Sequence, residues 1–461
     1  MNFGYEQINK NKKFVIKNLI LLFVLDIFYF LGEEIIILPF AIYFFYFLIL
    51  SRIVGQGIKQ NIYIIIFFLT FYFFLLGQKP ILYLREGYPF NQFNTFQKLL
   101  LDKEQYCLYA NMIIISLIMI YYGYHCYYIN ESKSESENCS QWMLNLLRVL
   151  FIISLICSVY VFLKKITIYK QFGYYGSFLH NIEVSAFVKI FNRLYILIFF
   201  VLFSYTNNKK EKFVLAALII FTLGGLNIIL GNRSAIGALF VFLSAYAIFN
   251  VKNMMITKRI FLIVVSGAIF MLLLFVATQN NRTTGDLTGG LIKKILGLFS
   301  SNGGSDSVIA NTIDKMGQLD SGWKNVLYPL YYRFTGSVFK NFTQNTELIG
   351  EGVPFSNLIS YLTNKELYLS GHGMGTSYIA EAFLLCGFPG IIIINMLLGR
   401  VLLIIKNSNQ FGFWGPMFNY VIYIIIMLPR NSIFGSFENC LMIFTIIYLI
   451  KYMQKLFRRR K

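Results

Sequence analysis

The chain has 461 residues, 57% of them hydrophobic and 18% aromatic but only 13% charged, with a mean hydropathy of +0.61. No soluble domain of this size carries that balance, so the sequence describes a polytopic membrane protein. The net charge of +20 does not signal nucleic acid, because the basic residues stand in short runs beside apolar spans, at 9–13, 207–212 and 455–461. That is the pattern of positive-inside topology.

A span needs about 20 mostly apolar residues. In chain order, helices are predicted near 15–32, 35–53, 60–77, 106–128, 143–163, 186–206, 213–230, 235–251, 260–278, 379–405, 414–429 and 434–452. The expected fold is therefore an all-α polytopic integral membrane protein of about 12 transmembrane helices, with a large extracytoplasmic loop between the ninth and tenth. This divides the chain into helices 1–9 (residues 1–278), a loop or cap (279–374), and helices 10–12 with a basic tail (375–461). The first apolar stretch follows a basic segment and lacks an A-x-A-like cleavage site, so it reads as an uncleaved span. Residues 78–105 read as an amphipathic or interfacial stretch. Both ends of the chain are placed in the cytoplasm, with Lys209, Lys210, Lys212, Lys252, Lys258, Arg259, Arg400 and Lys406 on the same side. Lys164, Lys165 and Lys170 fall on the opposite side and count against the orientation of the first half. The six cysteines form no CxxC, so neither a disulfide framework nor a zinc site is indicated. No internal repeat is visible, which gives the inverted-repeat plan of many transporters no support.

Ionisable groups at membrane depth mark pathways or sites. Arg233 in "GNRS" and Arg430 in "PRNS" occupy turns on the predicted outer side, and the long loop adds Arg282 and Arg333. Converging guanidinium groups suit a phosphate-bearing ligand, which they grip through paired N–H donors. Snorkelling or anchoring to lipid headgroups is the alternative. In "SGHGMGTSYIAEAFLLCGFPG" (370–390), Glu381 lies about two turns inside an entering helix, where a carboxylate must pair with a cation, bind a polar ligand or be protonated. His372 lies just outside that helix, among Gly371, Gly373 and Gly375, which let the backbone bend. No strand precedes these glycines, so they do not make a dinucleotide-binding turn. Lys189, Arg193, Arg148, Asp26 and Glu438 are expected to pair with each other inside the bundle. Glu33 and Glu34 fall in the first outer loop, and with no D-x-D motif a metal has no support.

The pairing of "GNRSAIGALFVFLSAYAIF" (231–249) with "GHGMGTSYIAEAFLLCGFPGIIIINMLLG" (371–399), across a large outer loop, resembles the Wzy polymerases. Gly231 and Arg233 match that family's G-x-R element. Gly373, Gly375, Ser377, Ala380 and Glu381 match its second element, with Gly387 and Gly390 following. The resemblance covers roughly 186–450 at the level of motifs. It implies a glycosyltransferase that polymerises undecaprenyl-pyrophosphate-linked oligosaccharide repeat units into O-antigen or capsule at the outer face of a bacterial inner membrane. Neither metal, cofactor nor nucleotide sugar is implied. Arg233, Arg430 and Arg333 would hold the leaving pyrophosphate, and Glu381 or His372 would act as base, with Glu381 preferred. A flippase and a chain-length regulator are the implied protein partners. An O-antigen ligase-like transferase and a lipid-linked oligosaccharide flippase are the rival readings.

Overall fold

A bilayer interior offers no water to backbone N–H and C=O groups, so apolar segments satisfy them internally as helices. The structure is a computed structural model that describes residues 2–32, 37–127 apart from 95, 139–230 apart from 178 and 181, 234–250, 304–334 apart from 320 and 321, 344, 346, 349, 353–408 and 413–459. The first group of helices is α1 (Asn2–Leu31), α2 (Ile37–Gly55), α3 (Ile62–Glu86), α4 (Lys103–His125), α5 (Gln141–Gly176), α6 (Ala186–Tyr205), α7 (Lys209–Ile229) and α8 (Ser234–Asn250). Four short helices follow: α9 (Ser305–Asp314), α10 (Gly322–Phe334), α11 (Phe355–Thr363) and α12 (Lys365–Leu369). The chain then returns through α13 (Tyr378–Asn407), α14 (Gly415–Met427) and α15 (Phe437–Arg459). The one sheet among the described residues is a hairpin of β1 (Gln92–Asn94) and β2 (Lys98–Leu100), with Phe93 opposite Leu99.

Among the described residues, eight helices are long and apolar enough to cross a membrane: α1 to α7 and α13. Helix α8 is apolar but shorter, and α14 is prolonged by a 3-10 turn, Leu428–Arg430. The predicted span at 260–278 lies outside the described residues. Residues 78–86, expected to be amphipathic or interfacial and not part of a span, bury Gln78, Lys79 and Leu82 and expose residues 83–86. They continue α3 through a π-helical turn at Tyr72–Leu76.

The long loop, expected as a small folded cap, carries four short helices among its described residues. Its helix α9 has every side chain from Ser305 to Ile313 buried, packed against α4, the π turn of α3 and α13. Its polar residues hid this from hydropathy. Ser307, Asn311 and Thr312 each donate to a backbone carbonyl three or four residues back, so their polarity is consumed locally. Asp306, 1% exposed, faces Lys79 at 3.9 Å, and Lys79 also donates to the Gln92 carbonyl in β1.

Helices α4 and α13 form the most extensive helix pair. A Cβ on Gly123 would meet the Met396 carbonyl oxygen at 2.2 Å, and one on Gly399 would meet the Ile120 carbonyl oxygen at 2.2 Å. In lipid, where apolar side chains gain little by leaving the solvent, such backbone approach is what packing rests on. Tyr378 donates to Asn395 (2.9 Å), and Asn395 donates to Ser116 of α4 (3.1 Å), tying α13 to α4 through buried polar groups.

Asn11 of α1, Arg52 of α2 and Tyr121 of α4 share hydrogen bonds, and Lys406 of α13 donates to Asn61, which Tyr124 of α4 also reaches. These groups mark one end of the bundle, where basic side chains gather. Of the intramembrane charges expected to pair, Arg193 and Glu438 do so at 3.2 Å. Arg148 instead grips both oxygens of Glu211, and Asp26 accepts from Asn111 and Cys107.

Gly123→Leu should destabilise the protein by about 1–3 kcal/mol, as overpacking does. Gly55→Ala, at a position with nothing within 4 Å of a new Cβ, should leave the thermal unfolding midpoint in detergent unchanged. For the buried pair, Lys79→Met alone should cost about 3–5 kcal/mol, because it strands a carboxylate, while Lys79→Met with Asp306→Leu should recover most of that loss. Denaturation of the single and double variants checks this.

Candidate functional site

The approach to the site is a loop shaped by glycine. Gly371 (φ +94°) and Gly375 (φ +81°) occupy the left-handed region that side chains disfavour. A Cβ on Gly371 would also meet the carbonyl oxygen of Tyr175, at the tip of α5, at 2.2 Å. His372 stacks on the Tyr175 ring with centroids 3.5 Å apart, and its Nδ1 lies 2.9 Å from Ser370 Oγ. Partial burial holds its imidazole below the usual histidine range.

Past this loop the chain enters α13, which breaks after two turns. Cys386 and Gly387 leave helical geometry, and Gly390 passes so close to the first segment that a Cβ would lie 2.1 Å from the Ala382 carbonyl oxygen. Glu381 sits on that short first segment and is 1% exposed. Its Oε1 accepts from Thr376 Oγ1 (2.8 Å), and its Oε2 accepts from Ser432 Oγ (2.9 Å) and the Ile433 backbone N–H (2.8 Å). No lysine or arginine among the described residues lies within ion-pairing distance, so neutral donors take the place of the cation that was one expectation. A carboxylate has about four acceptor positions. Among the described residues three are filled, two on Oε2 and one on Oε1, which leaves the open one on Oε1.

Glu381 therefore fastens α13 to the turn that carries Arg430. On one side of this turn a cavity of about 250 Å³ is walled by Leu69, Phe73 and Phe74 of α3, Val241 of α8 and Met427 of α14, with Arg430, Ser234 and Thr70 as its polar members. On the other side a cavity of about 300 Å³ is lined by Glu381, Ser432, Phe434 and Glu438, with Tyr328 of α10 and Ser356 of α11.

The structure thus gathers Glu381, Arg430 and Ser234 at one end of the bundle, although the sequence separates them by up to 196 residues. Arg233, the residue before Ser234, lies outside the described residues, as do Arg282, Glu33 and Glu34. Arg333 falls in the last turn of α10, the helix that supplies Tyr328 to the second cavity. His372 does not line either cavity and engages Tyr175 and Ser370 instead. Sequence reading missed Thr376, Ser432 and Ile433 as partners of Glu381, and gave Glu438 only a pairing role. The polar turn "PRNS" was visible, but nothing local tells that its serine and following amide aim at a carboxylate fifty residues earlier. No group of three His, Cys, Asp or Glu side chains among the described residues is arranged to hold a metal ion.

Comparison with known families is decisive at this point. The family described as O-antigen polysaccharide polymerase Wzy matches residues 14–461, nearly the whole chain. The chain belongs to that family. Searches of curated proteins and of solved structures return no match. As a Wzy-family protein, the chain is a multi-pass membrane polymerase of polysaccharide repeat units, acting on lipid-linked oligosaccharides.

Removing the Glu381 carboxylate would leave buried donors unpaired, at about 1–3 kcal/mol. In Glu381→Ala the Ile433 amide should therefore exchange its hydrogen at least about tenfold faster than in the wild type. Exchange at amides of α4 far from the turn should be unchanged, as mass spectrometry of peptides from both regions would show.

Proposed function

We propose that the protein lengthens a surface polysaccharide, O-antigen or capsule, by transferring a growing glycan from undecaprenyl pyrophosphate to a single lipid-linked repeat unit at the outer face of the inner membrane. What carries this reading is the cavity beside Arg430: a mostly apolar slot between α3, α8 and α14 whose polar members are a guanidinium, Thr70 and Ser234, the last next to Arg233 in the chain. An apolar slot with a cation in its wall suits an amphiphile with an isoprenoid tail and an anionic head. Arg430, with Arg233 and Arg333, would hold the pyrophosphate, since guanidinium groups bind phosphate oxygens in pairs and keep their charge.

The reaction needs negative charge stabilised on the leaving group and a proton removed from the attacking hydroxyl. A hydroxyl oxygen of the acceptor bonds to the donor's anomeric carbon as the bond from that carbon to the pyrophosphate oxygen breaks. Lipid pyrophosphate departs with the bonding pair, and the hydroxyl proton passes to the open position of Glu381 Oε1. His372, held on Tyr175, serves in this scheme to order the loop rather than to take the proton.

The test is incubation of purified protein with lipid-linked repeat units alone, read on a glycan ladder gel. A ladder formed without nucleotide sugar or a lipid A acceptor supports polymerase over ligase and flippase. Arg430→Ala and Arg233→Ala should each slow extension about 10²–10³-fold, the cost of losing one charge-stabilising donor, while folded protein stays in the membrane. Unchanged polymer length in Arg430→Ala would overturn the pyrophosphate role.

A further inference from the structure

The second cavity bears on which sugars the protein accepts, and the inference rests on the polymerase reading above. At about 300 Å³ it stands at the small end of the range for ligand pockets, roughly 300–1,000 Å³, room for a sugar ring and not for a whole repeat unit. Its lining joins the aromatic rings of Tyr328 and Phe434 to the hydroxyls of Ser356 and Ser432 and the carboxylates of Glu381 and Glu438. Aromatic faces carry negative quadrupole charge and attract the C–H edges of a pyranose ring. Carboxylates and serine hydroxyls accept hydrogen bonds from its alcohols.

The charge balance narrows the class. Glu438 is neutralised by Arg193, 3.2 Å away on α6. Glu381 meets only neutral donors. None of the described residues lining the cavity is a lysine or arginine. A sugar carboxylate brought in would stand beside Glu381 without a counter-ion, and like charges in a poorly solvated space repel strongly. We infer that this cavity receives the nonreducing terminal sugar of the acceptor, that this sugar is uncharged, and that uronic acids and other acidic sugars are excluded from it. The hydroxyl to be glycosylated then lies beside Glu381, while Arg430 lies across the turn on the donor side.

The experiment uses the full-length protein in lipid nanodiscs, with native lipid-linked units as donor and the free oligosaccharide repeat unit as acceptor. The free unit lacks pyrophosphate and can only accept. Phe434→Ala and the cavity-filling Ser356→Phe should each raise the acceptor KM about tenfold or more, with the donor KM unchanged. Phe434→Tyr, which keeps the ring, should restore it. An acceptor whose terminal primary alcohol has been oxidised to a carboxylate should be used at least about tenfold less well, and its methyl ester should regain activity. The inference is overturned, with polymerase activity standing, if the wild type makes ladders but the variants leave acceptor KM unchanged, or if the carboxylate acceptor works as well as its parent. If the wild type makes no ladder, the polymerase reading falls, and saturation-transfer NMR decides the cavity separately. Signal from methyl hexosides that Ser356→Phe abolishes supports it, and equal signal from a methyl uronide overturns it.

Discussion

Everything at this end of the molecule depends on a buried carboxylate that accepts three hydrogen bonds from neutral donors. Ser432 and the Ile433 amide belong to the link between α14 and α15, while Glu381 belongs to the first, short segment of α13. That junction adds polar contacts to the packing that holds the turn bearing Arg430 against α13 and α3. The carboxylate thus helps set the width between two cavities, one mostly apolar with a guanidinium and one polar with two acidic groups. Reactions between two lipid-bound partners need such spacing, because the gain from holding reactants together is realised only when their reacting atoms lie near contact.

The frame beneath the junction is built from close backbone approach. Gly123 and Gly399 bring α4 and α13 together where any side chain would collide with a carbonyl. The Tyr378, Asn395 and Ser116 chain spans the break in α13, since Tyr378 precedes Cys386 and Gly387 while Asn395 follows them. The two halves of the broken helix are therefore held to each other and to α4 by the same polar contacts, and Glu381 projects from a segment whose position is fixed at both ends.

Much of this was legible in the sequence. Apolar runs located the long helices, because the bilayer imposes length and hydropathy, but missed polar extensions: α1 begins at Asn2, α3 runs on to Glu86 and α5 to Gly176. Arg430 and Glu381 stood out because charges at membrane depth are rare, and the family resemblance rested on Gly373, Gly375, Ser377, Ala380 and Glu381 in order. What stayed hidden depends on contacts between distant segments. Residues 78–86 are polar enough to suggest an interface, yet Lys79 is buried because Asp306, some 227 positions later, comes to meet it. Helix α9 carries Ser, Asp, Asn and Thr, which hydropathy assigns to a surface. Their hydrogen bonds to preceding carbonyls make them compatible with a core. His372 reads in sequence as the alternative base to Glu381, and nothing local foretells that its ring stacks on Tyr175 of another helix.

Helix α5 is continuous over residues 141–172, about 48 Å at 1.5 Å per residue, against a hydrocarbon layer of roughly 30 Å, and Gly173 (φ +73°) then breaks it. Its far tip bears Tyr175, the residue against which Gly371 and His372 are packed. A helix overlong for its bilayer answers a change in thickness by tilting. Gly173 forms a joint between that helix and Tyr175, so the loop leading to Glu381 rests on a hinged end segment and not on a rigid extension of the spanning helix.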